Sequence, residues 1–164
     1  FSLMPGLTRH DIPVLGCCYG IGVLAHHLGA PVTKARYGEP VGPPQCRLTN
    51  DAASDPLLEG LPDNFTAFVG HKEAVQSLPA GCVHLVASAP CPFQMIRHGK
   101  NVYATQFHPE LDCNGLEVRI NIYKNRGYFA PEEADALIAQ GHATPVHMPE
   151  LILKNFVDRY RKAY

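Results

Sequence analysis

Apolar residues near the start of the chain form a short uninterrupted run and then a helical pattern. The run at 12–16 (IPVLG) predicts a strand buried within a sheet. A helix is predicted next, because apolar residues recur at spacings of three and four, at Ile21, Leu24, Ala25 and Leu28. Gly29 can end this helix, and Pro31 prevents its continuation. A strand, a sharp turn and a helix are therefore predicted to meet around Cys18.

The rest of the chain predicts loops, then strands, then helices. Residues 37–62 are rich in Gly, Pro, Asn and Asp, which indicates loops with one edge strand. Four strands are expected, at 65–69, 83–88, 93–97 and 102–107. The last two flank HGKN at 98–101, whose glycine suits a hairpin turn. Three helices are expected, one with Leu116, Ile120 and Tyr123 on a shared face, one from Pro131 to Gly141, and one with Ile152, Phe156 and Tyr160 along it.

This order of elements predicts one α/β domain over residues 1–164. The expected architecture is a mainly parallel open sheet flanked by helices, with an appended β-hairpin. A length of 164 residues suits a single domain with a substantial core. A strand that precedes a nucleophile normally lies in mid-sheet, whereas the strand before Cys18 is almost the first element. We therefore expect the sequence to begin inside its domain, with N-terminal strands missing.

Composition and charge argue against several classes of function. The formal net charge is −1 and no dense run of Lys or Arg occurs, so we expect no nucleic-acid binding and no electrostatic membrane patch. No apolar stretch approaches the length of a membrane span, and we expect a cytoplasmic protein. The six cysteines lack a C-x-x-C pair and a regular spacing, so neither a zinc site nor a disulfide framework is predicted.

The segment 16–20 (GCCYG) fits the pattern G-x-C-x-G, the cysteine counterpart of a nucleophile elbow. Such a turn projects one side chain above the sheet, and small residues two positions before and after it let the backbones approach closely. The Cys18 thiol would lie at a helix N-terminus, where the helix dipole favours the thiolate. Cys17 is expected to point into the sheet and to be inert. Taken alone, the segment is equally compatible with two buried cysteines before a helix.

A second motif carries a base and a carboxylate that can orient it. The strand predicted at 102–107 ends at His108, and Pro109 prevents its continuation in a central ladder. Glu110 follows two residues later, close enough to orient the imidazole. With Cys18, these residues supply the nucleophile, base and orienter of a generalised catalytic triad. A lone histidine is more often a surface or packing residue, but two motifs in this order, each at the end of a strand, favour catalysis.

Together, Cys-Tyr-Gly at 18–20 and Gln-Phe-His-Pro-Glu at 106–110 resemble the signature of class I glutamine amidotransferases. The likeness extends from about residue 12 to residue 112, and it is closest to the glutaminase domain of GMP synthase and its stand-alone relatives. It implies the flavodoxin-like sheet of that family. The segment FVGHKEAV at 68–75 lies where the family carries a histidine-containing loop, which makes His71 a candidate substrate-binding residue. A polar turn between strands is the alternative interpretation of that loop.

The resemblance implies hydrolysis of the side-chain amide of L-glutamine. Cys18 would form a γ-glutamyl thioester, His108 would act first as acid and then as base, and Glu110 would fix the imidazole tautomer. The backbone N–H of Tyr19 would supply half of the oxyanion hole. The glycine-rich loop that supplies the other half in this family does not occur in this sequence. Neither a cofactor nor a metal is implied, and the ammonia would pass to a separate synthetase partner or to a small acceptor.

One position departs from the pattern of the family. Members usually carry Gln four residues after the nucleophile, where it helps to hold the substrate, but Gly22 stands here. Gly22 therefore marks a predicted substrate-binding position at which the identity of the substrate stays open. One alternative is a Cys-His-Glu hydrolase of another γ-glutamyl amide or peptide. The other is a non-catalytic regulatory or binding relative, which the intact Cys18, His108 and Glu110 disfavour.

Overall fold

A six-stranded open sheet with a helix packed on each face forms the centre of the protein, which a computed structural model describes over residues 2–161. The helices are α1 (Met4–Arg9), α2 (Tyr19–His27), α3 (Cys113–Tyr123), α4 (Ala134–Ala143) and α5 (Met148–Tyr160). The strands are β1 (Val14–Cys17), β2 (Val32–Thr33), β3 (Glu39–Gly42), β4 (Gln45–Leu48), β5 (Asn64–Thr66), β6 (Val69–His71), β7 (Ala74–Val75), β8 (Cys82–Ser88), β9 (Met95–His98) and β10 (Val102–Thr105). Within this range no helix is long and apolar enough to cross a membrane.

The strand order in the main sheet is β1-β10-β9-β8-β4-β5. Strands β1 and β10 run parallel, with Val14 opposite Val102 and Cys17 opposite Thr105. The other four neighbouring pairs of this sheet are antiparallel. Two short antiparallel ribbons, β2-β7 and β3-β6, complete the strands of the described residues. Residues 18 and 106, which follow β1 and β10, therefore leave the sheet at the same edge.

The open sheet flanked by helices is confirmed, but the expectation of mainly parallel strands is wrong for residues 2–161. The connections between β8, β9 and β10 are too short for the crossover that a parallel pair needs, so these strands run antiparallel. The predicted hairpin is present, and Gly99 in its turn has a φ of 60°. It is not an appendage, because β10 lies between β1 and β9 in the sheet.

Alternate side chains of β10 face two separate cores. Val102 and Ala104 pack with α2, in a cluster that includes Ile21 and Leu24. Tyr103 packs on the other face, in a cluster that includes Ile152 of α5. The strand that precedes the second motif is thus held from both sides.

A third core joins α3 and α4. Leu116 and Ile120 of α3 are buried with Phe68 and Ala134. Gly141 lies inside α4 and does not end it, because the helix continues to Ala143. A Cβ at this position would meet Leu116 Cδ2 at 2.5 Å. Close packing of α3 on α4 therefore explains a glycine that the sequence pattern had suggested as a helix end.

Candidate active site

Cys18 occupies a strained turn between β1 and α2. Its φ of 50° and ψ of −89° are unusual for a residue with a side chain. Its N–H donates to the carbonyl of Thr105 at an N···O distance of 2.7 Å, which ties the turn to the end of β10. A Cβ on Gly16 would lie 3.0 Å from the Cα of Gly20, a backbone atom that cannot easily yield. Close backbone approach therefore requires a glycine at position 16, whereas a Cβ on Gly20 would meet nothing within 4 Å.

The two adjacent cysteines have different surroundings. Cys18 lines a cavity beside the sheet, whereas Cys17 is the last residue of β1. Burial raises the pKa of the Cys17 thiol to about 11, and the negative charge of Glu110 adds to that effect. Cys17 therefore remains a thiol at neutral pH, while Cys18 faces the space that a substrate can enter.

His108 is held in one orientation by its backbone and its ring. Its N–H donates to the carbonyl of Phe68 at 2.9 Å, and its Nδ1 lies 2.6 Å from Oε1 of Glu110. Because the carboxylate accepts, Nδ1 carries the proton and the other ring nitrogen is the one that exchanges it. Among residues 2–161, buried Nε2 has no partner in hydrogen-bonding geometry. The imidazole is thus oriented by Glu110 and keeps one nitrogen for proton transfer.

The electrostatics favour a charged imidazole. Burial lowers the pKa of His108, but its interactions with Cys18 and Glu110 outweigh burial and raise that pKa to about 9. For Glu110, burial acts to raise the pKa, but the hydrogen bond from His108, a backbone hydrogen bond and the positive charges of His108 and Arg119 together outweigh burial and lower the carboxyl pKa. Carboxylate and imidazolium therefore stabilise each other around neutral pH.

The cavity that Cys18 lines has a volume of about 570 Å³. The two predicted substrate-binding residues, Gly22 and His71, lie on its wall, and so does Gln106. The side-chain amide of Gln106 donates to Cys18 Sγ over 3.9 Å. Gln106 belongs to the second motif, but the sequence alone gave it no role.

Most of the chain matches the sequence model of a known family. Residues 2–120 match the sequence model of the family described as glutamine amidotransferase class-I. The chain belongs to this family.

Relatives of this amidotransferase chain agree with that assignment. A GMP synthase (glutamine-hydrolysing) of Streptococcus pneumoniae is 36% identical over 132 residues, which are 76% of this chain and 22% of that protein. A glutamine amidotransferase structure from Thermotoga maritima has a TM-score of 0.80 at 24% identity and covers 96% of this chain and 66% of its own. A glutamine amidotransferase structure from Methylobacillus flagellatus has a TM-score of 0.72 at 20% identity and covers 98% and 67%. The chain thus spans about a fifth of the matched GMP synthase.

Two of the predicted site residues, Tyr19 and Gly22, would act through a backbone N–H and through the absence of a side chain. Tyr19 is the first residue of α2, so its N–H has no carbonyl earlier in the helix to bond, and its side chain is exposed. A Cβ on Gly22 would meet Val32 Cγ1 at 3.5 Å, an ordinary contact distance. The N–H of Tyr19 is therefore free to face a ligand, and the position of Gly22 could accommodate a side chain.

The ring of His71 is fully engaged by the protein. Its Nδ1 donates to the carbonyl of Glu73 at 2.9 Å, and its Nε2 lies 2.8 Å from Oε2 of buried Glu39. Gln94 and Ser88 donate to the same carboxyl group at 2.6 and 3.0 Å. This network fixes the loop that follows β6 against the cavity.

The same cluster is the one group in the described residues that could hold a metal ion. Ligand atoms of Glu39, His71 and Cys91 lie within 4.8 Å of one another. Both ring nitrogens of His71 already have partners, however, and hydrogen bonds surround the carboxyl group. The arrangement is explained by hydrogen bonding between buried polar groups.

Several residues of the cavity wall had no signal in the sequence motifs. They are Lys34, Arg119, Tyr123 and Tyr128, while Lys72 of the wall lies within the segment at 68–75 that was singled out for His71. Three of them lie on or just after α3, beyond the His-Pro-Glu motif. Only the position of α3 beside the elbow brings them to the cavity.

Proposed function

We propose that this chain is a glutaminase-type amidotransferase that hydrolyses the side-chain amide of L-glutamine and passes ammonia to an acceptor. One observation carries this proposal, namely that Cys18 lies in a strained elbow beside an imidazole tied to Glu110 through Nδ1. Membership of the class I family supports it. The pKa of Glu110 is lowered and that of His108 is raised, so the carboxylate and the imidazolium are both favoured, which suits proton transfer at His108 Nε2.

In the first half-reaction, Cys18 Sγ attacks the amide carbon as a thiolate. The carbonyl oxygen becomes an oxyanion that accepts a hydrogen bond from the N–H of Tyr19. His108 Nε2 gives its proton to the amide nitrogen, the carbon–nitrogen bond breaks, and ammonia leaves. The product on the protein is a γ-glutamyl thioester on Cys18.

In the second half-reaction, water takes the place of ammonia. His108 Nε2 removes a proton from the water as its oxygen attacks the thioester carbon. The carbon–sulfur bond then breaks, which releases glutamate and restores Cys18. Glu110 stays ionised throughout and keeps the ring oriented.

The destination of the ammonia is part of the proposal. Matched relatives of longer length are GMP synthases named as glutamine-hydrolysing. By analogy, we expect a separate synthetase or a small acceptor to take up the ammonia. No cofactor is needed for either half-reaction.

A second candidate function is hydrolysis of another γ-glutamyl amide. Gly22 favours it, because the cavity wall lacks the amide side chain of the Gln that family members carry at this position. A non-catalytic binding role is disfavoured by the oriented His108–Glu110 pair, which simple packing does not require.

Labelling by a diazo-ketone analogue of glutamine tests the proposal. We expect the analogue to alkylate the protein once, Cys18→Ser to abolish labelling, and L-glutamine to protect against it. Cys17→Ser is the matched control, because Cys17 is an adjacent thiol that is not expected to react. Protection by other γ-glutamyl amides but not by glutamine would favour the second candidate. Equal labelling of the Cys18→Ser variant would refute a nucleophilic role for Cys18.

A further inference from the structure

Four residues that the proposed mechanism does not use form one side of the cavity that contains Cys18. They are Lys72, Arg119, Tyr123 and Tyr128, and we refer to them as the cation–aromatic row. Tyr123 and Tyr128 lie beyond residue 120, where the match to the family ends. The two rings of the row therefore lie outside the part of the chain that matches the family, whereas Lys72 and Arg119 lie within it.

The row is a continuous series in which two aromatic rings lie between two cations. Lys72 Nζ lies 4.7 Å from the ring centroid of Tyr128. The rings of Tyr128 and Tyr123 are 5.4 Å apart and inclined at 74°, an edge-to-face contact. Arg119 Cζ lies 5.7 Å from the ring centroid of Tyr123. Each cation is thus held over an aromatic face, which positions its charge without neutralising it.

The cations of the row have no carboxylate partner of their own. Within residues 2–161, neither Lys72 nor Arg119 forms an ion pair with an acidic side chain. The cavity wall also includes a third cation, Lys34. Among the described residues, Glu73 supplies the single carboxylate of that wall. An excess of unpaired positive charge around a concave site favours an anionic group on the ligand.

Arg119 is also close enough to the reacting groups to influence them. Its positive charge helps to lower the pKa of Glu110, and it opposes the rise in the pKa of His108. Arg119 lines the same cavity as Cys18, and it also lines a neighbouring pocket with His108, so its guanidinium group faces the space that a small substrate would occupy. Arg is also the side chain best suited to bind a carboxylate, through two parallel hydrogen bonds.

We propose that Arg119, held by Tyr123 and assisted by Lys72, binds the α-carboxylate of the γ-glutamyl substrate and selects substrates in which that carboxylate is free. This inference rests on the proposed function. In a γ-glutamyl compound the reacting amide and the α-carboxylate are joined by a short aliphatic chain. A cation on the wall can therefore bind one end while Cys18 attacks the other. Arg119 would select for a free α-carboxylate, whatever group is attached to the amide nitrogen.

The test compares L-glutamine with its α-methyl ester in the wild type and in Arg119→Gln. The variant is expected to raise KM for L-glutamine about tenfold to a hundredfold, the effect of losing a charged hydrogen bond, with little change in kcat. KM for the methyl ester, which has no α-carboxylate, is expected to stay the same. Arg119→Lys should recover part of the loss, because it retains the charge. Arg126→Gln removes another Arg of the same region outside the cavity wall and should leave both substrates unaffected.

The outcomes separate this inference from the proposed function. Glutamine hydrolysis by the wild type with an unchanged KM in Arg119→Gln would overturn the inference and leave the glutaminase intact. Equal losses for glutamine and for the ester would overturn it as well, because they would indicate a structural role. If the wild type does not hydrolyse glutamine, the same comparison is made with γ-glutamyl-p-nitroanilide. A raised KM in the variant would then support the inference without glutamine as substrate, and hydrolysis of neither compound would refute both.

Discussion

Replacement of Glu110 by glutamine tests whether this carboxylate keeps His108 in its cationic form. The variant retains an oxygen that can accept from Nδ1, now 2.6 Å from Glu110 Oε1, but it removes the negative charge. In the wild type the pKa of His108 is raised from 6.5 to about 9. That rise corresponds to about 3 kcal/mol in favour of the imidazolium, since a tenfold change in an equilibrium constant is about 1.4 kcal/mol.

Glu110 supplies one part of this effect and Cys18 supplies another. A hydrogen bond to a charged group contributes about 1.5 to 3 kcal/mol, so His108 should titrate about 1 to 2 pH units lower in Glu110→Gln. Titration of ¹³C-labelled histidine by NMR measures this directly. The matched control is Glu117→Gln, which removes a carboxylate that pairs with exposed His142 at 2.8 Å at the surface. An unchanged titration of His108 in Glu110→Gln would refute the reasoning.

The same pair gives stability a defined dependence on pH. Because the pKa of His108 is higher in the folded protein than in the unfolded chain, its contribution is fully present below about pH 6.5 and is lost as the pH rises through about 9. The free energy of unfolding, measured in urea, should therefore decline over this interval. We expect a shallower decline in Glu110→Gln, and an equally steep one would contradict the assignment.

Three further substitutions have defined outcomes. Gly16→Ala places a Cβ 3.0 Å from the Cα of Gly20, and we expect the strain to destabilise the protein by about 1 to 3 kcal/mol in urea unfolding. Arg97→Met leaves Asp55 as an unpaired carboxylate in the core, where its side chain is fully buried 2.8 Å from Arg97 Nε, and we expect a loss of about 3 to 5 kcal/mol. Cys17→Ala should leave glutamine hydrolysis nearly unchanged, because the thiol of Cys17 is protonated at neutral pH.

Each of these substitutions has a comparison within the chain. Gly6→Ala adds a Cβ that meets nothing within 4 Å and should not destabilise, so equal losses for Gly6→Ala and Gly16→Ala would contradict the packing argument. Lys154→Met breaks an exposed pair with Asp158 and should cost less than about 1 kcal/mol. A similar effect for Arg97→Met would show that the buried carboxylate is tolerated without its partner. Loss of activity in Cys17→Ala at unchanged stability would assign Cys17 a part in catalysis.

The sequence was most informative where chemistry depends on neighbouring residues. The G-x-C-x-G spacing predicted a sharp turn at Cys18, and the structure has one, with Gly16 and Gly20 in close approach. The hairpin around Gly99 could be predicted for the same reason, since a turn depends on a few adjacent residues. Local rules of this kind do not require knowledge of the rest of the fold.

Strand order and the outer wall of the site could not be predicted in this way. Hydrophobic periodicity locates strands but does not determine which strands pair, so the antiparallel share of the sheet was missed. The helical pattern placed Tyr123 on the face of Leu116 and Ile120, yet Tyr123 is 38% exposed and lines the cavity. The hydrogen bond that His71 makes to the buried carboxyl group of Glu39 joins residues that are 32 positions apart in the sequence. These features arise from contacts between distant segments.

The most direct test of the account is glutamate and ammonia release from L-glutamine by the purified protein and by its Cys18→Ala variant. We expect equal amounts of glutamate and ammonia from the wild type and background release from the variant, with both proteins folded to the same extent. Equal release by the two proteins would contradict a nucleophilic role for Cys18. No release by the wild type would contradict glutamine as the substrate.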